Sequence, residues 1–169
     1  MEYPTDAYDY QGAMSLVKEL SIKDGKLYQY PVEAITSLRS SQEAFADKDA
    51  TNNTYELDLH FPANQVSQLL LFADQKGNGL KLTIDTNVGK VRLDRSKAGL
   101  PFATDFGTIR ECSIDGKETT ARIFVDKSVV EIFINKGEKV FTSRIFPEEG
   151  QSGIHVLTGQ VDGQYFELN

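Results

Sequence analysis

The stretch VDKSVVEIFINKGEKVFTSRIF, residues 125–146, decides the fold of this chain. Apolar residues alternate with polar ones on either side of two turn-forming segments, Asp126-Lys127-Ser128 and Lys136-Gly137. This pattern predicts three short antiparallel strands joined by tight turns. One residue does not fit a plain apolar strand, because the carboxylate of Glu131 lies inside the most apolar of the three.

The turn at Lys136-Gly137 also predicts how the second and third strands pair. Cross-strand partners follow by counting outward from the turn: Phe133 with Val140, Glu131 with Thr142, and Val129 with Arg144. Diagonal neighbours on one sheet face lie within reach of long side chains, so we expect Glu131 to bind Arg144, with Arg122 as the second candidate. A carboxylate paired with arginine is a poor proton donor, which favours a structural role.

Period-two alternation continues through most of the chain, and the residues between the alternating runs favour turns. The most uniformly apolar run, QLLLFAD (68–74), is expected to be buried on both faces. The pattern predicts an all-β fold, an antiparallel two-sheet β-sandwich. The alternating runs are TYELDLHF (54–61), GLKLTIDT (79–86) and KVRLDRS (90–96), with turns at Lys76–Gly79, Asn87–Gly89 and Asp115-Gly116.

The first third of the chain has a different organisation. Residues 14–32, MSLVKELSIKDGKLYQYPV, predict a hairpin centred on Asp24-Gly25, and residues 32–41 predict a short turn or helical link. A lone hairpin is marginally stable in water. We therefore expect it to fold back on the sandwich or to pair with another copy.

Composition narrows the possible functions. A chain of 169 residues with 40% hydrophobic residues is large enough to bury its own core. The net charge of -7, with basic residues scattered singly, argues against nucleic acid or a membrane as partner. Cys112 is the only cysteine, and the first ten residues lack the features of a signal peptide, so a cytoplasmic location is expected.

Few residues have the type and spacing expected of a catalytic or metal-binding site. His60 and His155 lack neighbours at ligand spacing, so no metal or organic cofactor is expected. A nucleophilic pair of Cys112 with a histidine stays open, although a free cysteine is usually a small buried hydrophobe. Strand alternation predicts that the acidic side chains lie on solvated outer faces; these are Asp58, Asp85, Asp94, Asp126 and Glu131. In TYELDLHF, the same alternation places Glu56 on the polar side of its strand.

Residues 125–147 closely resemble the C-terminal β-sandwich of glycoside hydrolase family 32. The matching positions are Asp126, Ser128, Glu131, Phe133, Asn135, Gly137, Arg144 and Phe146-Pro147. A second segment, residues 14–39, is similar to the part of these enzymes that leaves the catalytic propeller. Its matches are Lys18-Glu19-Leu20, where arginine would be expected instead of Lys18, then Gln29, Pro31 and Leu38-Arg39.

The resemblance implies a domain arrangement. Family members join a five-bladed propeller, which carries the chemistry, to a sandwich, here of lectin-like jelly-roll type. Residues 1–31 would be a remnant of the last blade, residues 32–41 a linker, and residues 42–169 the sandwich. The implied partners are the chain's own N-terminal catalytic propeller and a second copy in a homodimer, with a sucrose-type saccharide for the whole enzyme.

The resemblance also implies which residues matter. The nucleophile motif Asn-Asp-Pro and the motif Arg-Asp-Pro do not occur here, and Glu111-Cys112 matches the acid/base motif only by coincidence. No catalytic residue is therefore expected, and the motif is expected to be structural: Arg39, Asp126, Ser128, Glu131, Asn135, Gly137 and Arg144. The alternatives are a carbohydrate-binding or an oligomerisation module. The lack of Trp speaks against a sugar-binding platform.

Overall fold

A computed structural model describes residues 3–169 and confirms the all-β prediction. Short 3-10 helices interrupt the loops, one of them at Glu33–Leu38 in the predicted link. The strands within the described residues are β1 (Lys18–Lys23), β2 (Lys26–Pro31), β3 (Arg39–Ala44), β4 (Thr54–Phe61), β5 (Val66–Ala73), β6 (Gly79–Asp85), β7 (Lys90–Lys97), β8 (Ile109–Ser113), β9 (Thr119–Asp126), β10 (Val129–Ile134), β11 (Lys139–Arg144), β12 (Gly153–Thr158) and β13 (Asp162–Leu168).

Two antiparallel sheets form the sandwich. The six-stranded sheet has the order β11-β10-β9-β4-β13-β3, and the five-stranded sheet has the order β12-β5-β6-β7-β8. Alternate residues of both sheets point inward and bury their side chains against each other, which removes apolar surface from water. Representative core residues are Leu57, Ile123 and Ile132 on the larger sheet, and Leu82 and Val91 on the smaller.

The predicted register of the deciding stretch is confirmed. Glu131 pairs with Thr142, and the neighbouring pairs follow as counted from the turn. The apolar run at residues 69–73 is buried on both faces, also as predicted. Its member Phe72 has a φ of 52°, and the pairing with β12 shifts there, so this strand carries a bulge that alternation alone did not reveal.

The N-terminal hairpin forms as predicted and docks on the sandwich, the first of the two expected outcomes. Its turn residues Asp24 and Gly25 both have positive φ, which suits a two-residue hairpin turn. Part of the docking is through β2, where the Tyr30 ring meets the Phe133 ring edge-on with centroids 5.9 Å apart. The backbone of Gln29 also approaches Gly137 closely.

We predict that Gly137→Ala destabilises the protein and releases the hairpin. Gly137 has a φ of 90°, and an added Cβ would lie 2.1 Å from the carbonyl oxygen of Gln29. The strained backbone and the clash together should lower the free energy of unfolding by about 3 kcal/mol or more. Chemical denaturation measures this loss, and amide exchange of β1 and β2 reports the release.

Gly150→Ala is the matched control. Gly150 has a similar φ of 82° but nothing within 4 Å of the added Cβ, so only the backbone strain of about 1 kcal/mol is expected. Equal losses for the two variants would contradict the close contact between Gly137 and the hairpin.

Candidate interdomain surface

The face of the six-stranded sheet that is turned away from the core carries an unusual row of side chains. We call it the outer face. Cross-strand pairing places Glu131 of β10 beside Phe124 of β9, Phe124 beside Glu56 of β4, and Glu56 beside Phe166 of β13. Only 1% of Glu131 and 0% of Glu56 is exposed. The expectation that Glu131 lies on a solvated face is therefore wrong, and Glu56, on the polar side of its strand, is buried as well.

Glu131 binds the N-terminal segment of the chain. Its carboxylate accepts a hydrogen bond from the backbone N–H of Leu16 and lies 2.6 Å from Nζ of Lys18. The hydroxyl of Thr142, its cross-strand partner, donates a third bond at 3.2 Å. The predicted ion pairs with Arg144 and Arg122 are wrong, because both arginines are bound elsewhere.

Arg144 is held by the turn before β10 and by the N-terminal segment. Its guanidinium donates to the carbonyl oxygen and the hydroxyl of Ser128, at 3.2 and 3.1 Å, and to the carbonyl oxygen of Gln11 at 3.3 Å. It also lies 4.8 Å from the ring centroid of Phe146. These contacts use all three nitrogens of the Arg144 guanidinium.

Glu56 binds two arginines at once. Nε and Nη2 of Arg39 donate to its two carboxylate oxygens at 2.8 and 2.5 Å, and Nε of Arg122 donates at 2.6 Å. Burial alone would raise the pKa of Glu56. The hydrogen bonds from the two arginines outweigh that effect and hold its pKa below the ordinary value, so the side chain is an anion at neutral pH.

Aromatic rings complete the surroundings of both arginines. The guanidinium of Arg39 stacks on Phe166 at 3.7 Å, and that of Arg122 lies 4.9 Å from Phe124 and 5.5 Å from Tyr30 of the hairpin. Glu56 and its arginines therefore connect the first residue of β3, the middle of the sheet and the end of the hairpin. Sequence reasoning missed Glu56 as a site residue.

Two of the remaining predicted motif residues, Asn135 and Ser128, connect turns to neighbouring strands. The side chain of Asn135 accepts a hydrogen bond from the backbone N–H of Thr120 at 3.1 Å. Ser128 holds Arg144, while Asp126 is exposed at the end of β9. The structure thus brings Glu131, Gly137 and Arg144 against the N-terminal segment, and Arg39 against Glu56.

The two buried carboxylates are poorly arranged for glycoside hydrolysis. A general acid needs a raised pKa, whereas the pKa of Glu56 is lowered. The Phe124 side chain occupies the position between Glu56 and Glu131 in the row, where a saccharide would have to lie. Ion pairing and the docking of the hairpin explain why both carboxylates are buried.

The other candidate groups lie apart from this surface. Glu111 is exposed on β8 and pairs with Arg92 at 3.5 Å, while burial raises the pKa of the Cys112 thiol and so disfavours the reactive thiolate. His60 lies 3.3 Å from Glu118, and His155 has Asp49 as its neighbour at 3.4 Å. In residues 3–169 no group of three His, Cys, Asp or Glu side chains is placed to hold a metal ion.

An open cleft of about 520 Å³ lies beside β3 and β13. Its walls are polar, with Gln42, Lys48 and Glu167 among them. The one aromatic residue, Tyr165, is only 5% exposed, so its ring offers no stacking platform for a sugar. None of the helices described in residues 3–169 is long and apolar enough to cross a membrane.

We predict that Glu56→Gln destabilises the protein in a pH-dependent way. Two arginines would face a neutral amide, which should cost about 3 kcal/mol of unfolding free energy at neutral pH. The ionised carboxylate gives its full stabilisation above the ordinary pKa of 4.5 and loses it as the pH falls through the lowered pKa of the folded protein. Denaturation curves of both proteins should therefore converge in acid.

Asp58→Asn is the control for this measurement. Asp58 lies two residues along the same strand but is exposed, so its replacement should change the stability by less than about 1 kcal/mol. A constant difference between Glu56→Gln and the unmodified protein down to acid pH would contradict the ionised state of Glu56.

Comparison with known proteins agrees with this architecture. Residues 26–168 match the family model "Glycosyl hydrolases family 32 C terminal". The chain is 62% identical over 168 residues to the sucrose-6-phosphate hydrolase of Streptococcus mutans serotype c, covering 99% of this chain and 35% of that protein. The chain therefore spans about a third of the length of the relatives it matches.

Solved structures give the same result. The sucrose-6-phosphate hydrolase from Lactobacillus gasseri superposes with a TM-score of 0.94 at 33% identity, over 99% of this chain and 36% of that one. A family 32 β-fructofuranosidase from Bombyx mori superposes with a TM-score of 0.73 at 29% identity, over 92% of this chain and 32% of that one. The chain belongs to glycoside hydrolase family 32 and corresponds to its C-terminal domain.

Proposed function

We propose that this chain is the accessory C-terminal sandwich of a sucrose-6-phosphate hydrolase. The whole enzyme would be a retaining β-fructofuranosidase that releases fructose from sucrose or its 6-phosphate, in the cytoplasm. The sandwich would stabilise and position a catalytic propeller and would be inactive alone. The family match and the relatives named sucrose-6-phosphate hydrolase support this proposal.

An exposed apolar face on the hairpin carries the proposal. Ile22 pairs directly with Leu27, and Leu20 lies two residues before Ile22, so the three side chains project from one face. They are 76%, 52% and 63% exposed, respectively. Soluble proteins rarely leave such a contiguous apolar face in water, so this face marks a contact with another part of a larger protein.

The catalytic propeller is the partner that fits this face best. Relatives are about three times as long as this chain, and the matching family model describes a C-terminal domain. Among the described residues β1 pairs with β2 alone, which leaves its other edge available to continue a propeller blade. We therefore assign residues 1–31 to the last blade, residues 32–41 to the linker and residues 42–169 to the sandwich.

The motif residues then have a common role in this proposal. Glu131, Gly137 and Arg144 contact the segment assigned to the blade, and Arg39 and Glu56 hold the end of the linker. Ser128 and Asn135 keep the supporting turns in place. The motif would thus be the surface through which the sandwich holds the propeller.

We predict that the 169-residue chain does not hydrolyse sucrose or sucrose 6-phosphate. A glucose-release assay with pure protein measures this, with the sucrose-6-phosphate hydrolase of Streptococcus mutans as the positive control. Turnover by the chain alone would contradict the proposal. Calorimetric titration with sucrose and fructose is the companion measurement, and saturable binding would favour the carbohydrate-binding alternative.

We predict that Ile22→Lys reduces self-association of the isolated chain. Without a propeller, the apolar face has only another copy to cover it, so a homodimer through this face is the expected state at high concentration. A lysine at the centre of the face would add charge repulsion and a desolvation cost. Sedimentation equilibrium should show at least about a tenfold weaker association.

Val88→Lys is the matched control. Val88 is 65% exposed in the turn between β6 and β7, far along the chain from the hairpin. Its replacement adds the same charge and should leave the association unchanged. An equal effect of the two variants would contradict an interface at the hairpin.

A further inference from the structure

We infer that Glu131 is the anchor by which the sandwich recognises the entry strand of the upstream module, through the Leu16 amide and the Lys18 ammonium. The inference rests on the proposed function for the identity of that module. The contact itself lies within this chain, so it can be tested without a propeller or a substrate.

The partners of Glu131 come from far along the chain. The carboxylate points out of the sandwich, and its own sheet supplies the hydroxyl of Thr142. The backbone N–H that it accepts belongs to Leu16, 115 residues earlier, and the cation is Lys18. A buried carboxylate without a cation is strongly unfavourable, so the entry strand is needed to complete the outer face.

Glu131 recognises both the position of the entry strand, through the Leu16 N–H, and one side chain of that strand, Lys18. Pairing in the hairpin begins at Lys18 with Pro31, and the next outward bond runs from the Val32 N–H to the Val17 carbonyl oxygen. The N–H of Leu16 is therefore outside the hairpin ladder and directed to Glu131. If the entry strand shifted by one residue relative to β10, Lys18 would point to the opposite side of the strand. The contact with Glu131 therefore fixes the position of the entry strand relative to β10.

Neighbouring groups strengthen this recognition. Nζ of Lys18 lies 5.9 Å from the ring centroid of Phe133, two residues from Glu131, and the same ring meets Tyr30 of the hairpin. A cation over an aromatic face is favoured where water is excluded. The partner that fits this surface is a β-strand that offers a free N–H and, two residues later, a lysine or arginine.

Amide hydrogen exchange of the 169-residue chain, followed by NMR, tests the anchor. In Glu131→Gln and in Lys18→Met, the amides of Leu16 and of the hairpin should exchange at least about tenfold faster, since each variant removes one side of a charge-assisted contact. The amides of β4 and β9 should keep their rates in Lys18→Met. The two effects should be less than additive in the double variant, because both remove the same interaction.

Glu19→Gln is the control, since Glu19 is exposed and adjacent to Lys18 but has no part in the anchor. Unchanged hairpin exchange in Lys18→Met and Glu131→Gln would overturn the inference. If Glu131→Gln unfolds the whole sandwich, the exchange rates of the Lys18→Met variant alone test the inference, because Lys18 belongs to the hairpin and not to the sandwich. A sandwich that hydrolysed sucrose would instead contradict the proposed function and leave this result standing.

Discussion

The structure depends on the neutralisation of two carboxylates buried on the outer face of the larger sheet. Glu131 and Glu56 are shielded from water, and each is bound by cations from other segments of the chain. Removing the cation from a buried ion pair costs about 3–5 kcal/mol, a large part of the stability of a typical domain, so these cations contribute strongly to the stability of the fold. The outer face is therefore complete only with the entry strand and the end of the linker in place.

Local patterns were enough to predict the hairpin, the strands β4 to β7 and β9 to β11, their turns and the register of the deciding stretch, because alternation and turn chemistry act over a few residues. They did not identify β3, which begins at Arg39 inside the predicted link, or β12 and β13. They failed for the partners of Glu131 and for the burial of Glu56, since those depend on contacts between distant segments. A signal was present: Phe124 and Phe166 fall on the face that alternation assigns to solvent. Large rings on a polar face indicate that something covers it.

Three of the motif's contacts lie on one strand-turn-strand unit. Glu131 on β10, Gly137 in the turn and Arg144 on β11 each reach the N-terminal segment at a different point. Because the register of β10 and β11 fixes their spacing, a change at one contact alters the geometry of the others. A short hairpin near the edge of a sheet can in this way hold a separate structural element in one orientation.

Paired carboxylates have opposite uses in proteins, and their surroundings decide between them. In a glycosidase, one acid is kept protonated by an apolar pocket while the other stays ionised beside an open substrate site. Here two arginines hold the pKa of Glu56 down, and Phe124 separates it from Glu131. The same residue type therefore joins segments together instead of transferring protons. This is the physical reason why a chain from a glycoside hydrolase family can carry two buried acids in one row and still leave the chemistry to another module, as we propose.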